Sequence, residues 1–96
     1  MGLLSLVSMG SYNGTVVANE NLIDLFHETE KEKHPNRFFS TVRKIAIEAP
    51  SETKFIINDV EIVMPSTGIF ELGLDYVQIE KLIFESSVKV NIIYMY

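Results

Sequence analysis

The sequence contains no cysteine and no tryptophan, and only two histidines, in 96 residues. Without cysteine the chain forms no disulfide, offers no thiolate nucleophile and holds no cysteine-ligated zinc. No Lys or Arg precedes Lys31, so the first residues lack the basic region of a secretory signal, and no apolar run approaches the ~20 residues of a membrane span. We therefore expect a protein that is made and used without export by the general secretory route.

Positive charge is also scarce. The chain has 13 acidic and 8 basic residues, for a net charge of −5. From Glu48 onward there are 8 acidic and 3 basic residues, whereas the part before it has 5 of each. A nucleic-acid-binding protein must neutralise phosphates with basic side chains, so this balance argues against a nucleic-acid partner. We expect no membrane partner either.

Residues that favour β-structure are plentiful. Val, Ile and Thr make up 25 of the 96 residues, whereas Ala, the best helix former, occurs three times. Branched side chains lose rotamer freedom in a helix and pack well on a pleated sheet. The hydrophobic fraction of 47% excludes a disordered tail. The composition predicts one all-β domain that spans residues 1–96.

Turn signals divide this domain into short segments. They fall at four places: Asn13-Gly14, residues 50–52, Asn58-Asp59 and residues 65–68. Short strands between turns at regular spacing are typical of a small β-sandwich, of jelly-roll or immunoglobulin-like type. One apolar run fits either a helical turn or a strand, so a short helix near residues 21–27 is left open.

Residues 27–37 form the one long polar stretch of the sequence. The stretch has no large apolar side chain and ends in a Pro-Asn pair, which predicts an exposed charged loop. Long loops in small domains often carry partner contacts. We therefore take His27, His34 and Arg37 as candidate contact residues.

The reactive residues do not form a catalytic motif. His27 and His34 lie seven residues apart, which does not fit the His-Glu-x-x-His spacing of a zinc protease helix. The chain has no Gly-x-Ser-x-Gly elbow, no phosphate-binding Gly-Lys-Ser/Thr loop and no calcium-binding acidic run. Its carboxylates are better explained as a solvated face than as a glycosidase pair, because no Trp supplies a sugar platform. We expect no enzyme activity, no cofactor and no metal site.

The final segment shows the clearest alternation of side chains. One face carries five residues: Val88, Val90, Ile92, Tyr94 and Tyr96. Its second half is apolar on both faces, so it must be covered on both faces or lie in an interface. Burial within the domain and contact with a neighbouring subunit both stay open. The candidate partner-interface residues are Ile92, Ile93, Tyr94, Met95 and Tyr96.

Three segments resemble a group of phage proteins. They are Thr-Lys-Phe-Ile-Ile-Asn at residues 53–58, Thr-Gly-Ile-Phe-Glu-Leu at 67–72 and Ile-Ile-Tyr-Met-Tyr at 92–96. Together they resemble small virion structural proteins of tailed phages and prophages of low-GC Gram-positive bacteria, which sit in the tail, baseplate or neck or on the capsid. The resemblance extends over residues 11–96. This chain departs from the pattern at Asp59, where a Gly is expected, and at Ile93, where a polar residue is common.

The resemblance implies a non-enzymatic component of the virion, assembled in the cytoplasm of the host bacterium. Such a component joins or decorates larger subunits in many copies, and its partners are other virion proteins and copies of itself. Two alternatives stay open. One is a carbohydrate-binding module whose sugar platforms are Tyr12, Tyr76, Tyr94 or Tyr96. The other is a small inhibitor or regulator that binds one host protein through residues 27–37.

Overall fold

The computed structural model describes residues 9–33, 42–73 and 78–96. The elements in these ranges are β1 (Met9–Thr15), α1 (Leu22–Lys33), β2 (Lys44–Glu48), β3 (Lys54–Ile57), β4 (Val60–Val63), β5 (Ile69–Gly73), β6 (Leu82–Phe84) and β7 (Lys89–Met95). The protein is a mostly β single domain with one short helix, which confirms the fold class expected from composition.

The strands form two antiparallel sheets. The four-stranded sheet has the order β1-β7-β2-β5, and the three-stranded sheet has the order β4-β3-β6. β7 lies inside the larger sheet, where Tyr94 is level with Gly10 of β1 on one side and with Ile45 of β2 on the other. The backbone of this last strand is therefore paired on both sides.

The core lies between the two sheets and beneath α1. The fully buried large side chains come from both sheets, the helix and the connecting segments: Tyr94, Phe26, Phe55, Phe84, Ile23, Ile47, Met64, Ile79, Leu82, Ile92, Val16 and Val42. Phe55 of β3 meets the edge of Phe70 of β5 at a ring-centroid distance of 5.4 Å and stacks on Phe84 at 5.2 Å. These rings join the two sheets in a sandwich-like arrangement.

Alternation along the strands predicts which side chains are buried. Residues 44–49 alternate in the sequence, which predicts one shared face for Ile45, Ile47 and Ala49, and all three are buried. In β7 the expected inward residues Val90, Ile92 and Tyr94 are likewise buried, whereas the residues between them face outward. The sheet periodicity read from the sequence is confirmed in both central strands.

The Asn13-Gly14 turn is a wrong prediction. Both residues lie within β1, opposite Asn91 and Val90 of β7. Gly14 has a φ of 150°, a backbone conformation that favours glycine. Asn13 and Gly14 are therefore part of an extended strand, because pairing with β7 overrides their local preference for a turn.

The exposed loop expected at residues 27–37 is also wrong over its first part, because α1 continues to Lys33. Asn21 caps the start of the helix, where its Oδ1 accepts the N–H of Ile23 at 3.1 Å. The helix turns Phe26 and Glu30 toward the core, one turn apart. The short helix that the sequence left open near residues 21–27 is therefore present, but it extends further, to Lys33. Residues 34–37, with the candidates His34 and Arg37, lie outside the described residues.

The Asn58-Asp59 hairpin between β3 and β4 is present as predicted. Both residues have positive φ, 47° and 69°, as a tight hairpin turn requires. The side chain of Asn58 also holds the segment that leads into β6. Its Oδ1 accepts the N–H groups of Glu80 at 2.8 Å and Lys81 at 3.1 Å, and its Nδ2 donates to the carbonyl of Gln78 at 2.7 Å.

The other side of the same segment is held by Asn21. Its Oδ1 accepts the N–H of Leu82 at 3.0 Å, and its Nδ2 donates to the carbonyl of Glu80 at 3.1 Å. The N–H of Asn19 donates to the carbonyl of Phe84 at 2.9 Å. The start of the helix thereby covers the outer edge of β6, which ties α1 to the smaller sheet.

The two turn residues make a matched test of this role. We expect Asn58→Gly to lower the free energy of unfolding by about 2 kcal/mol, because it keeps the positive φ and removes three hydrogen bonds of roughly 1 kcal/mol or less each. Asp59→Gly removes one exposed ion pair with Lys81, so its effect should stay within about 0.5 kcal/mol. Urea unfolding measures both. Equal effects of the two variants would contradict the role given to the side-chain hydrogen bonds of Asn58.

Candidate functional site

A buried polar cluster joins α1 to the four-stranded sheet. Glu30 is 2% exposed and is the one buried charged residue among those that the structure describes. The hydroxyl of Tyr94 donates to Glu30 Oε2 at 3.0 Å, and the Tyr94 ring stacks on Phe26 with a centroid distance of 4.1 Å. Lys33 Nζ lies 3.9 Å from the same carboxylate oxygen. The cluster therefore supplies Glu30 with a donor and a nearby positive charge.

Gly10 of β1 makes room for this cluster. It lies directly opposite Tyr94 in the strand register. A β-carbon at this position would be 2.5 Å from Cζ of Tyr94 and 2.8 Å from Oε2 of Glu30, closer than non-bonded atoms approach. The lack of a side chain at Gly10 is thus a condition for the hydrogen bond between Tyr94 and Glu30.

Tyr96 and His27 extend the cluster toward solvent. The Tyr96 hydroxyl lies 2.9 Å from His27 Nδ1, and the two ring centroids are 5.4 Å apart. Both side chains are half-buried. His27, expected as a loop contact, is therefore part of the helix face that packs against the end of the sheet.

Burial and the neighbouring carboxylate keep both tyrosines protonated. Burial, followed by the hydrogen bond and negative charge of Glu30, raises the pKa of the Tyr94 hydroxyl well above its usual value. Burial raises the pKa of Tyr96 to about 12, and the charge of Glu30 acts in the same direction. Tyr94 thus keeps its proton, and its hydrogen bond to Glu30, at alkaline pH as well as at neutral pH. The cluster fixes the helix against the four-stranded sheet.

Two of the tyrosines proposed as sugar platforms, Tyr12 and Tyr94, contact other residues within the domain. Tyr94 is buried, and Tyr12 is half-buried with its ring 6.3 Å from that of Phe26 and its hydroxyl donating to the carbonyl of Thr15 at 2.9 Å. Tyr76 lies outside the described residues. A buried ring cannot stack on a sugar, so Tyr94 does not serve as a platform in this structure.

The five candidate interface residues divide by strand alternation. Ile92 and Tyr94 are buried by the protein's own core, which is the alternative of burial within the domain. Ile93 points the other way and is 52% exposed, whereas Met95 and Tyr96 are half-buried. Because the backbone of β7 is already paired on both sides, Ile93 is the member of the set best placed to reach a partner.

Ile93 lies at the centre of what we call the outer face, the side of the four-stranded sheet that faces away from the core. Across this face the register aligns Ser11, Ile93, Ala46 and Glu71 in one row. Its neighbours in the row are small, so the Ile93 side chain stands above them. Two shallow depressions, of about 360 and 440 Å³, are both lined by Ala46 and Ile93.

Ile93 and Ala46 form a small apolar centre on the outer face, and apolar, polar and charged residues are mixed around them. Met9 and Ile69 are exposed on either side of the central row. Lys44 and Glu48 stand at the two ends of β2, and Glu48 Oε1 accepts a hydrogen bond from Asn91 Nδ2 at 2.8 Å. An apolar centre with a charged and polar rim is the usual composition of a protein–protein contact.

Sequence reasoning missed most of the outer face. It named Ile93 but not Met9, Ala46 or Ile69. Alternation shows which residues of one strand share a face, but it does not show which strands are neighbours. The order of the strands decides that these side chains lie next to one another, and that order depends on pairing between distant segments. The signal that was available is limited to Ala46 and Ile93, which occupy outward positions of β2 and β7.

Comparison with known proteins adds no relative to this description. No protein-family model, curated protein or solved structure matches the chain. Within the described ranges, no helix is long and apolar enough to cross a lipid bilayer. The same residues contain no group of three His, Asp or Glu placed to hold a metal ion. The described residues therefore form a small β-domain whose larger sheet exposes Ile93 on its outer face.

Two glycines of the four-stranded sheet test the buried cluster. We expect Gly10→Ala to destabilise the domain by about 1–3 kcal/mol, because the added β-carbon collides with the buried Tyr94 and Glu30. Gly73→Ala is the control, since its β-carbon would meet only the flexible Lys44 side chain at 3.4 Å and should change stability by at most about 0.5–1 kcal/mol. Thermal and urea unfolding measure the difference. A neutral Gly10→Ala variant would contradict the packing described.

Proposed function

We propose that this chain is a non-enzymatic structural component of a tailed-phage particle, where it joins or decorates larger virion subunits in many copies. The resemblance at residues 53–58, 67–72 and 92–96 supports the assignment to a phage particle. The exposure of Ile93 at the centre of the outer face supports a docking role and is the observation that carries it.

The departure at Ile93 strengthens this argument. The resembling proteins often carry a polar residue at the corresponding place, and a polar side chain would be well solvated on the outer face. Ile93 is 52% exposed, and water makes no hydrogen bond with its side chain. Covering it with a partner surface lowers the free energy. The partner that fits is therefore a protein surface with an apolar centre and polar groups that match the rim.

The energy available from this surface suits an assembly. Fully burying an isoleucine contributes about 1.5–3 kcal/mol, so covering the exposed half of Ile93 contributes about 1 kcal/mol. Met9 and Ile69 add similar amounts, which gives a weak contact for one copy. Repetition in a particle converts weak contacts into strong attachment, because neighbouring copies are held at high effective concentration.

The use of the reactive side chains supports a structural role. Glu30, Tyr94, Tyr96 and His27 contact one another and fix α1 on the sheet. In the described part of the chain, no buried side-chain nitrogen or oxygen lacks a hydrogen-bond partner. These side chains stabilise the fold, so the surface that we propose for docking is the outer face.

Incorporation into particles tests the proposal. In the phage or prophage that encodes the chain, a deletion is complemented with wild type, with Ile93→Asp or with Val60→Asp, a matched change at a residue 60% exposed on the other sheet. We expect wild type and Val60→Asp in purified particles and loss of Ile93→Asp, because a carboxylate at the centre of the contact must be desolvated. Mass spectrometry of the particles measures incorporation.

Both variants should fold, since each replaces an exposed side chain, and thermal unfolding checks this. Normal incorporation of Ile93→Asp would show that the outer face does not dock. Particles that lack the wild-type chain altogether would overturn the phage assignment itself.

A further inference from the structure

β1 presents an open backbone edge. It pairs only with β7 among the described strands. The N–H of Val16 donates to the carbonyl of Val88 at 2.9 Å, and hydrogen bonding in an antiparallel pair alternates, so the even-numbered residues of β1 bond to β7. The N–H and C=O groups of Ser11 and Asn13 consequently point away from the sheet, along with those of Met9 and Thr15.

This edge lacks the usual protection against pairing. Natural proteins guard exposed edges with Lys, Pro, bulges, short strands or covering segments. β1 is seven residues long and reads Met-Gly-Ser-Tyr-Asn-Gly-Thr, without charge or proline. The other described edges differ: β6 is covered by Asn19 and Asn21, and the shorter β4 and β5 carry Glu61 and Glu71.

We propose that β1 pairs antiparallel with β1 of a second copy of this chain, about a twofold axis that passes through Tyr12. The outward-pointing groups lie symmetrically about Tyr12, at positions 9, 11, 13 and 15. This axis places Ser11 opposite Asn13 of the partner subunit and Met9 opposite Thr15 of the partner subunit. Each outward N–H then meets an outward C=O, as an isologous contact requires.

The side chains of β1 suit the same register. On the inner side, Tyr12 lies opposite the partner subunit's Tyr12, and Gly10 lies opposite the partner subunit's Gly14. Gly14 leaves space beside the Tyr12 ring, since a β-carbon there would be 3.9 Å from the Tyr12 hydroxyl, and paired aromatic residues across strands are favourable. One edge carbonyl, that of Thr15, already accepts the Tyr12 hydroxyl and keeps a second lone pair for the new bond. No like charges face each other, although each chain carries a net charge of −5.

The product is a continuous eight-stranded sheet in which the two outer faces lie side by side. This inference is independent of the proposed function, because it depends on the free edge of β1 and not on Ile93. β7 is an interior strand, so its backbone cannot pair with a neighbouring chain, whereas the edge of β1 can.

Sedimentation over a concentration series tests the dimer with the full chain. We expect a reversible change from 10.9 kDa to twice that mass. Ser11→Pro removes an outward N–H without touching a bond to β7, so it should weaken dimerisation at least tenfold, whereas the control Ser11→Ala keeps the N–H and should dimerise as wild type does. Asn13→Lys adds a charge at the same edge and should also weaken the dimer, which keeps the test decisive if Ser11→Pro fails to fold.

Engineered cysteines test the register, since the chain has no cysteine of its own. Tyr12→Cys lies on the twofold axis and should form a disulfide-linked dimer under mild oxidation. The two copies of Asn13→Cys are not directly opposite each other in this register, so they should not form a disulfide.

A wild-type chain that stays monomeric at millimolar concentration would overturn the proposal, as would a dimer unaffected by Ser11→Pro and Asn13→Lys. Ile93→Asp should dimerise normally, so failure of this proposal and failure of the docking proposal are distinguishable.

Discussion

The placement of β7 between β1 and β2 is the constraint on which the rest of the structure depends. Alternation along this one strand sends Tyr94 inward to the helix and Ile93 outward to solvent. The inward side holds α1 against the sheet, and the outward side forms the centre of the outer face. Because β7 is paired on both sides, it is an interior strand, and β1 is the edge strand beside it. A single strand thereby determines where the core, the helix and the candidate docking surface lie.

The contact between Tyr94 and Glu30 shows how the domain accommodates a buried carboxylate. A buried charge is unfavourable unless hydrogen bonds or opposite charges compensate it. Here the Tyr94 hydroxyl donates to the carboxylate, Lys33 lies nearby, and Gly10 provides the space. These contacts engage the polar groups with one another and fix α1 on the four-stranded sheet.

Local pattern predicted the parts of the fold that local physics controls. The excess of branched residues predicted a β-domain, and alternation predicted the buried faces of β2 and β7. The stretch from residue 27 was misread because Glu30 occupies a core position of α1, which hid the apolar period of the helix. Asn13-Gly14 was misread because pairing with β7 overrode its turn preference. The outer face could not be predicted, since it arises only when distant strands are placed side by side.

Chemical cross-linking of intact particles tests the central claim, the proposal that this chain is a virion component whose outer face contacts a larger subunit. Lys44 and Lys89 lie on the outer face, whereas Lys54 and Lys81 lie on or beside the smaller sheet. With an amine-reactive cross-linker and mass spectrometry, the account predicts links from Lys44 and Lys89 to a larger virion subunit and few or none from the other two. Links confined to Lys54 and Lys81, or an absence of links to any virion protein, would contradict it.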